Sequence, residues 1–206
     1  MPEIERRYIP LTEIEIRAND DGTRTLIGYA AVFNTDSQPL WGGLIERIRP
    51  GAFRKTLKDD TRDVICARDH NPAMILGRKS AGTVLLKEDK TGLRYECPLP
   101  GTSYSNDLEI SLKRGDVFGS SFAFTPEKEE WSGTPEEPRR EVIQARLFDV
   151  GPVTNPAYLD STAQVRTRSI EAGIAGLKPE EQEEDERQVP ISIILAKRKL
   201  ELKEKE

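Results

Sequence analysis

The chain contains a single histidine, His70. Its imidazole is the only side chain whose ordinary pKa lies near neutrality, which makes it the natural general base if the protein performs proton-transfer chemistry. A lone histidine is more commonly structural, so the base needs a nucleophile and an orienting partner. Asp69 is adjacent but poorly placed, because consecutive residues of an extended chain point to opposite sides. An orienting acid should therefore come from elsewhere in the chain. Two kinds of nucleophile are available. Cys66 precedes His70 by four residues and would lie about 13 Å away in an extended chain, too far to share a proton. Ser120 and Ser121 follow Gly119 and open an aromatic segment, Phe122-Ala123-Phe124. This is not a G-x-S-x-G elbow, since Ala123 stands at the final glycine position. By themselves, paired serines beside a glycine read as a turn or strand edge.

Composition narrows the chemistry further. One His and two Cys, Cys66 and Cys97, fall short of the four N/S ligands of an ordinary zinc site, and no loop concentrates carboxylates for Mg²⁺ or Ca²⁺. No metal or cofactor is expected. The cysteines read as buried, reduced thiols rather than a disulfide framework. The chain of 206 residues carries a net charge of −5, with 33 % charged and 36 % apolar residues, which argues against a broadly basic nucleic-acid binder. The start, MPEIERRYIP, lacks the apolar run of a signal peptide, and ISIILA is too short to span a membrane. A soluble, intracellular protein is the expectation.

The elements that must position these groups are mostly strands. Glu13–Arg17 alternates with period 2, Asn19-Asp20-Asp21-Gly22 makes a turn, and Thr25–Phe33 follows as a second strand of a hairpin. Residues 34–50 read as a loop, and 51–57 as a short helix after Pro50. Asp63–Arg68 is a strand that runs into Asp69-His70-Asn71-Pro72. Pro72 disfavours helix at Asn71, so His70 should lie at a strand end or loop mouth. Thr83–Lys87 and Leu93–Cys97 are strand-like around Lys90-Thr91-Gly92. Ser105–Arg114 has a helical pattern closed by Gly115. Val117–Phe124 precedes a polar excursion over 125–140, and 141–148 alternates again. About seven strands and two short helices predict a mainly β (α+β) domain, a closed or partly open barrel with helices outside.

The composition changes near Thr167. Residues 180–186 hold six acids in seven positions and cannot bury enough surface to order themselves. The expected organisation is a folded domain over 1–167, an acidic flexible linker over 168–190, and an amphipathic docking helix over 191–206. That last helix is too isolated to be stable without a partner.

A set of short motifs in order carries a family resemblance. They are Gly28-Tyr29-Ala30-Ala31-Val32-Phe33-Asn34, Ile48-Arg49-Pro50-Gly51-Ala52-Phe53, and Asp69-His70-Asn71-Pro72 with Leu76-Gly77-Arg78 behind it. Next come Gly92-Leu93-Arg94-Tyr95-Glu96, Lys113-Arg114-Gly115, Gly119–Phe124 and Asp149–Tyr158. Over about 28–165 the chain resembles the prohead maturation proteases of HK97-type tailed bacteriophages. The resemblance implies a herpesvirus-assembly-protease-like β-barrel serine protease. It assigns His70 as general base and Ser121, two positions before Ala123-Phe124, as nucleophile. Asp149, where the family commonly has Glu, becomes the orienting acid. Ala123 in place of Gly and Gly151 in place of Ser depart from the family pattern. The turn after Asp149, rich in Gly and Pro, is the expected oxyanion hole. The implied substrate is the scaffolding segment of the major capsid protein, cut inside the procapsid in the host cytoplasm. Self-cleavage and a homo-oligomer accompany that reading; nucleic acid and membrane do not. The competing readings are an inactive capsid-assembly or scaffolding protein of the same fold, and a Ser-His esterase or amidase.

Overall fold

The computed structural model describes residues 3–10, 14–154 and 168–179. Among these are ten strands and three α-helices. The strands are β1 (Glu5–Pro10), β2 (Glu15–Ala18), β3 (Arg24–Val32), β4 (Ile45–Ile48), β5 (Ile65–Ala67), β6 (Ile75–Arg78), β7 (Leu85–Glu88), β8 (Gly92–Pro98), β9 (Gly119–Gly133) and β10 (Pro138–Val153). The helices are α1 (Arg54–Lys58), α2 (Ser103–Arg114) and α3 (Arg168–Ala175). No helix among the described residues is long and apolar enough to cross a membrane.

The strands form two ladders, β1-β9-β10-β5-β6 with β4 also on β10, and β2-β3-β8-β7. Among the described residues no strand pairing joins the ladders, so the mainly β character stands and the strands form two sheets over a common core, not a closed barrel. Leu26, Leu93 and Tyr95 of the second sheet are buried in that core with Phe122, Phe124, Leu147 and Val150 of the first. Phe33, Phe53, Phe122 and Phe124 form a relay of rings with centroids 6.5, 5.6 and 5.1 Å apart. Such spacing lies within the favourable range for aromatic pairs.

The expected hairpin, the strands flanking His70 and the two short helices are all present. In α2, Gly115 is left-handed (φ 80°) and Asp116 N–H reaches the Ser111 carbonyl, closing the last turn as its glycine predicts. The polar excursion over 125–140 differs from its sequence expectation: it is the arm of a long β9–β10 hairpin. Several of its charges meet partners on neighbouring elements. Glu127 pairs with Arg62 and Lys55, Glu129 with Arg140, and the Arg140 guanidinium sits 5.6 Å from the Trp131 ring. A strand rich in charge escapes a hydrophobic-period reading because its stability comes from these partners.

The same hairpin organises a buried ionic cluster. Arg140, fully buried, donates to Glu5 (2.6 and 3.1 Å), Glu46 (2.8 Å) and Glu129 (3.2 Å). Arg7 donates to Glu46 at 2.7 and 3.0 Å and also pairs with Glu5. Strands β1, β4, β9 and β10 are thereby tied together. Burial by itself would raise the Glu46 pKa, but the two guanidiniums overcome it and hold the carboxyl below its usual range.

At the other end, Arg168–Ala175 is helical where the sequence reading begins a flexible linker. Ile170 is buried, and Gly173 lies so close to the Trp131 ring that a Cβ would approach it to 2.2 Å. Helix α3 therefore lies within the stretch expected to be a linker. The acidic run at 180–186 and the segment 191–206 lie outside the described residues.

Candidate active site

Local chain geometry sets each group of the site. Strand β9 alternates, so Ser120, Phe122 and Phe124 share one face and Ser121 and Ala123 the other. Ser120 faces the core, where its hydroxyl hydrogen-bonds the buried Tyr95 hydroxyl at 2.8 Å. Burial pushes the Tyr95 phenol pKa up, so it remains a neutral partner. Ser121 faces outward from that core. Its Oγ lies 2.6 Å from His70 Nε2 and 2.8 Å from the Arg7 carbonyl oxygen.

His70 follows β5 in a tight turn, Arg68–His70, at the strand end expected from Pro72. Asp69 and His70 both have positive φ, 52° and 54°. Non-glycine residues there cost roughly 1–3 kcal/mol each and persist only where the surroundings enforce them.

Asp149 reaches the same ring through an irregularity in β10. Leu147 pairs with Phe124, but Asp149 pairs with Ala123, so Phe148 is an extra residue, a β-bulge. In an unbroken ladder position 149 would oppose Phe122 and face the core. The bulge turns Asp149 to the face shared by Ala123 and Ser121, where its carboxylate bonds His70 Nδ1. Because Nδ1 faces a carboxylate it carries the proton, leaving Nε2 as the acceptor for Ser121. The His70 and Asp149 side chains are only 13 % and 14 % exposed, and Ser121 is 4 % exposed. Little water competes for these bonds.

The three residues singled out from sequence are thus brought together, and Ser120 and Cys66 are not. Cys66 is buried, and its hydrogen bond to Cys97, together with burial, raises its thiol pKa well above the ordinary value. That is the opposite of a reactive thiolate. Two contributions were not foreseen. The Arg7 carbonyl comes from β1, which pairs antiparallel with β9 so that Tyr8 stands opposite Ser121; it competes with His70 Nε2 for the single Ser121 hydroxyl proton, and a backbone acceptor leaves no residue-type signal. Asp69 accepts hydrogen bonds from Thr154 rather than from His70. The stretch after Asp149 is not a turn, since β10 continues through Val153. Gly151 is needed there for close approach: a Cβ would stand 2.1 Å from the Ala67 carbonyl oxygen of β5.

A hydroxyl, an imidazole and a carboxylate in series are the arrangement by which serine hydrolases activate an alcohol. Residues 12–174 match the family model described as caudovirus prohead serine protease, and the chain belongs to this family. It is 32 % identical over 182 residues to the prohead protease of Enterobacteria phage HK97, covering 86 % of this chain and 71 % of that protein. Among solved structures it is similar to the bacteriophage T4 capsid assembly protease gp21, with 12 % identity and a TM-score of 0.46 over 73 % of this chain and 99 % of that one.

Proposed function

We propose that this chain is a serine endopeptidase of phage head maturation, with Ser121 as nucleophile, His70 as general base and Asp149 as orienting acid. The observation that carries the reading is the unbroken Ser121–His70–Asp149 hydrogen-bond chain in a member of a prohead protease family.

His70 Nε2 takes the Ser121 proton as Oγ attacks the peptide carbonyl, and the electron pair of the C=O bond moves to the oxyanion. Collapse of this intermediate breaks the C–N bond, and the leaving amine takes the proton from Nε2. Water then repeats the sequence on the ester and restores Ser121. Throughout, Asp149 holds the Nδ1 proton, which keeps Nε2 free as acceptor and stabilises the transient imidazolium.

The substrate on this reading is the scaffolding segment of the major capsid protein, with the protease itself as a second target. The reaction takes place inside the procapsid in the host cytoplasm. A fold of the herpesvirus-assembly-protease kind, a barrel opened into two ladders, accommodates that chemistry. The acidic stretch before 191 serves as a linker, and 191–206 as an amphipathic docking segment for scaffold helices. The test is co-expression with the cognate capsid protein, reading capsid-chain mass. Wild type should shorten the capsid chain and Ser121→Ala should leave it full length. Continued processing by Ser121→Ala would overturn the assignment.

A further inference from the structure

The carboxylate next to His70 makes a second attachment to β10. Asp69 Oδ1 accepts the Thr154 N–H at 2.6 Å and Oδ2 accepts the Thr154 hydroxyl at 2.9 Å, with Arg68 Nε 3.3 Å from Oδ2. Asp149 lies in the last part of β10, and Thr154 directly follows its final residue, Val153. The His70 turn is therefore held to one strand at two points, by His70–Asp149 and by Asp69–Thr154. Upstream, β5 pairs in register with β10 at Ile65 and Cys66, and Ala67 packs closely against Gly151. We propose that Asp69 is a positioning residue: by clamping Thr154 it holds the left-handed turn so that the His70 ring stays within reach of both Asp149 and Ser121.

Three observations converge on this role. Consecutive left-handed Asp69 and His70 need an external restraint, and the paired bonds to Thr154 supply one. The Asp69 side chain is 38 % exposed, so its bonds contribute little to global stability and their effect is geometric. Displacement of a reacting group by about 1 Å can lower a rate about 100-fold.

The inference rests on the proposed function for its kinetic arm and is independent of it for its spectroscopic arm. His70 is the only histidine, so its ring ¹⁵N resonances in the full chain need no assignment. In wild type they should report one neutral tautomer with the proton on Nδ1. Asp69→Ala should mix the tautomers and lower kcat by about 10- to 100-fold with KM within about twofold. Asp69→Asn, which can still accept the Thr154 N–H, should restore most of both. Thr154→Val should act in the same direction, and the double variant Asp69→Ala/Thr154→Val should be no worse than Asp69→Ala alone. The clamp is overturned if Asp69→Ala keeps the wild-type ring spectrum, if the two substitutions are additive, or if Asp69→Ala simply unfolds. If instead Ser121→Ala still cleaves, the proposed function fails while the ring spectrum continues to test the clamp.

Discussion

Ser120 and Ser121 are consecutive in β9, yet their hydroxyls serve opposite faces of the sheet, one bonded to Tyr95 in the core and the other to His70. One residue of register decides which serine meets the base. Exchanging their roles would require rotating the whole strand and exposing Phe122 and Phe124.

Replacing the two serines should therefore separate chemistry from stability. Ser121→Ala should remove cleavage while the chain stays folded. Ser120→Ala should keep cleavage but leave the buried Tyr95 hydroxyl without its partner, at about 1–3 kcal/mol. Thermal unfolding beside a peptide-cleavage assay checks both outcomes, and the reverse pattern would sink the serine assignment.

Asp149→Asn retains the shape of the acid but favours the wrong imidazole tautomer. A loss of kcat on the order of 10⁴-fold is expected, by analogy with the same change in well-studied serine proteases. Single-turnover kinetics would measure it, and a loss below tenfold would remove Asp149 from the site.

Arg140 is the keystone of the buried ion cluster. Arg140→Met should cost about 3–5 kcal/mol, because Glu5 and Glu46 are left buried without their main counter-charge. Urea unfolding with an unchanged m value would establish it. Full stability would show that the cluster is dispensable.

Acid should weaken the same cluster. The folded-state pKa of Glu46 is depressed, so its contribution is present above the unfolded value of about 4.3 and lost as pH falls through the folded one. Stability should decline in that window. In Glu46→Gln the curve should lie lower above about pH 4.3, fall less steeply below it, and converge with wild type in acid.

Gly151 stands where the resemblance read from sequence implies a serine. Restoring a side chain by Gly151→Ser should push β10 from β5, since its Cβ would sit 2.1 Å from the Ala67 oxygen. Overpacking of this kind costs about 1–3 kcal/mol. The displacement should also lower kcat, because β5 leads directly into the His70 turn. Unchanged stability and rate would mean that the strands part easily here.

Much of the site and part of the fold were legible without coordinates. A chain with one histidine has one candidate for an imidazole base, and the motif order around it pointed to Ser121 and Asp149. Period-2 alternation located β2, strand-like runs beside turn signals located β3, β7 and β8, and Gly115 located the end of α2, because these signals are local. The strand character of 125–140 was hidden, since its charges are stabilised by partners such as Arg62 and Arg140 rather than by an apolar stripe. Helix α3 was hidden in the same way, because Trp131 lies far from it in sequence.

What sequence determined on its own was residue type and order: which groups could exchange a proton and which strands could carry them. Tertiary structure decided their facing. The bulge at Phe148 turns Asp149 away from the core, and β1 brings a backbone carbonyl to Ser121 from more than a hundred residues away. The Asp69–Thr154 bonds join a turn to a strand that no local pattern connects. Each depends on register between distant segments, and register is set by the packing of both partners rather than by either one.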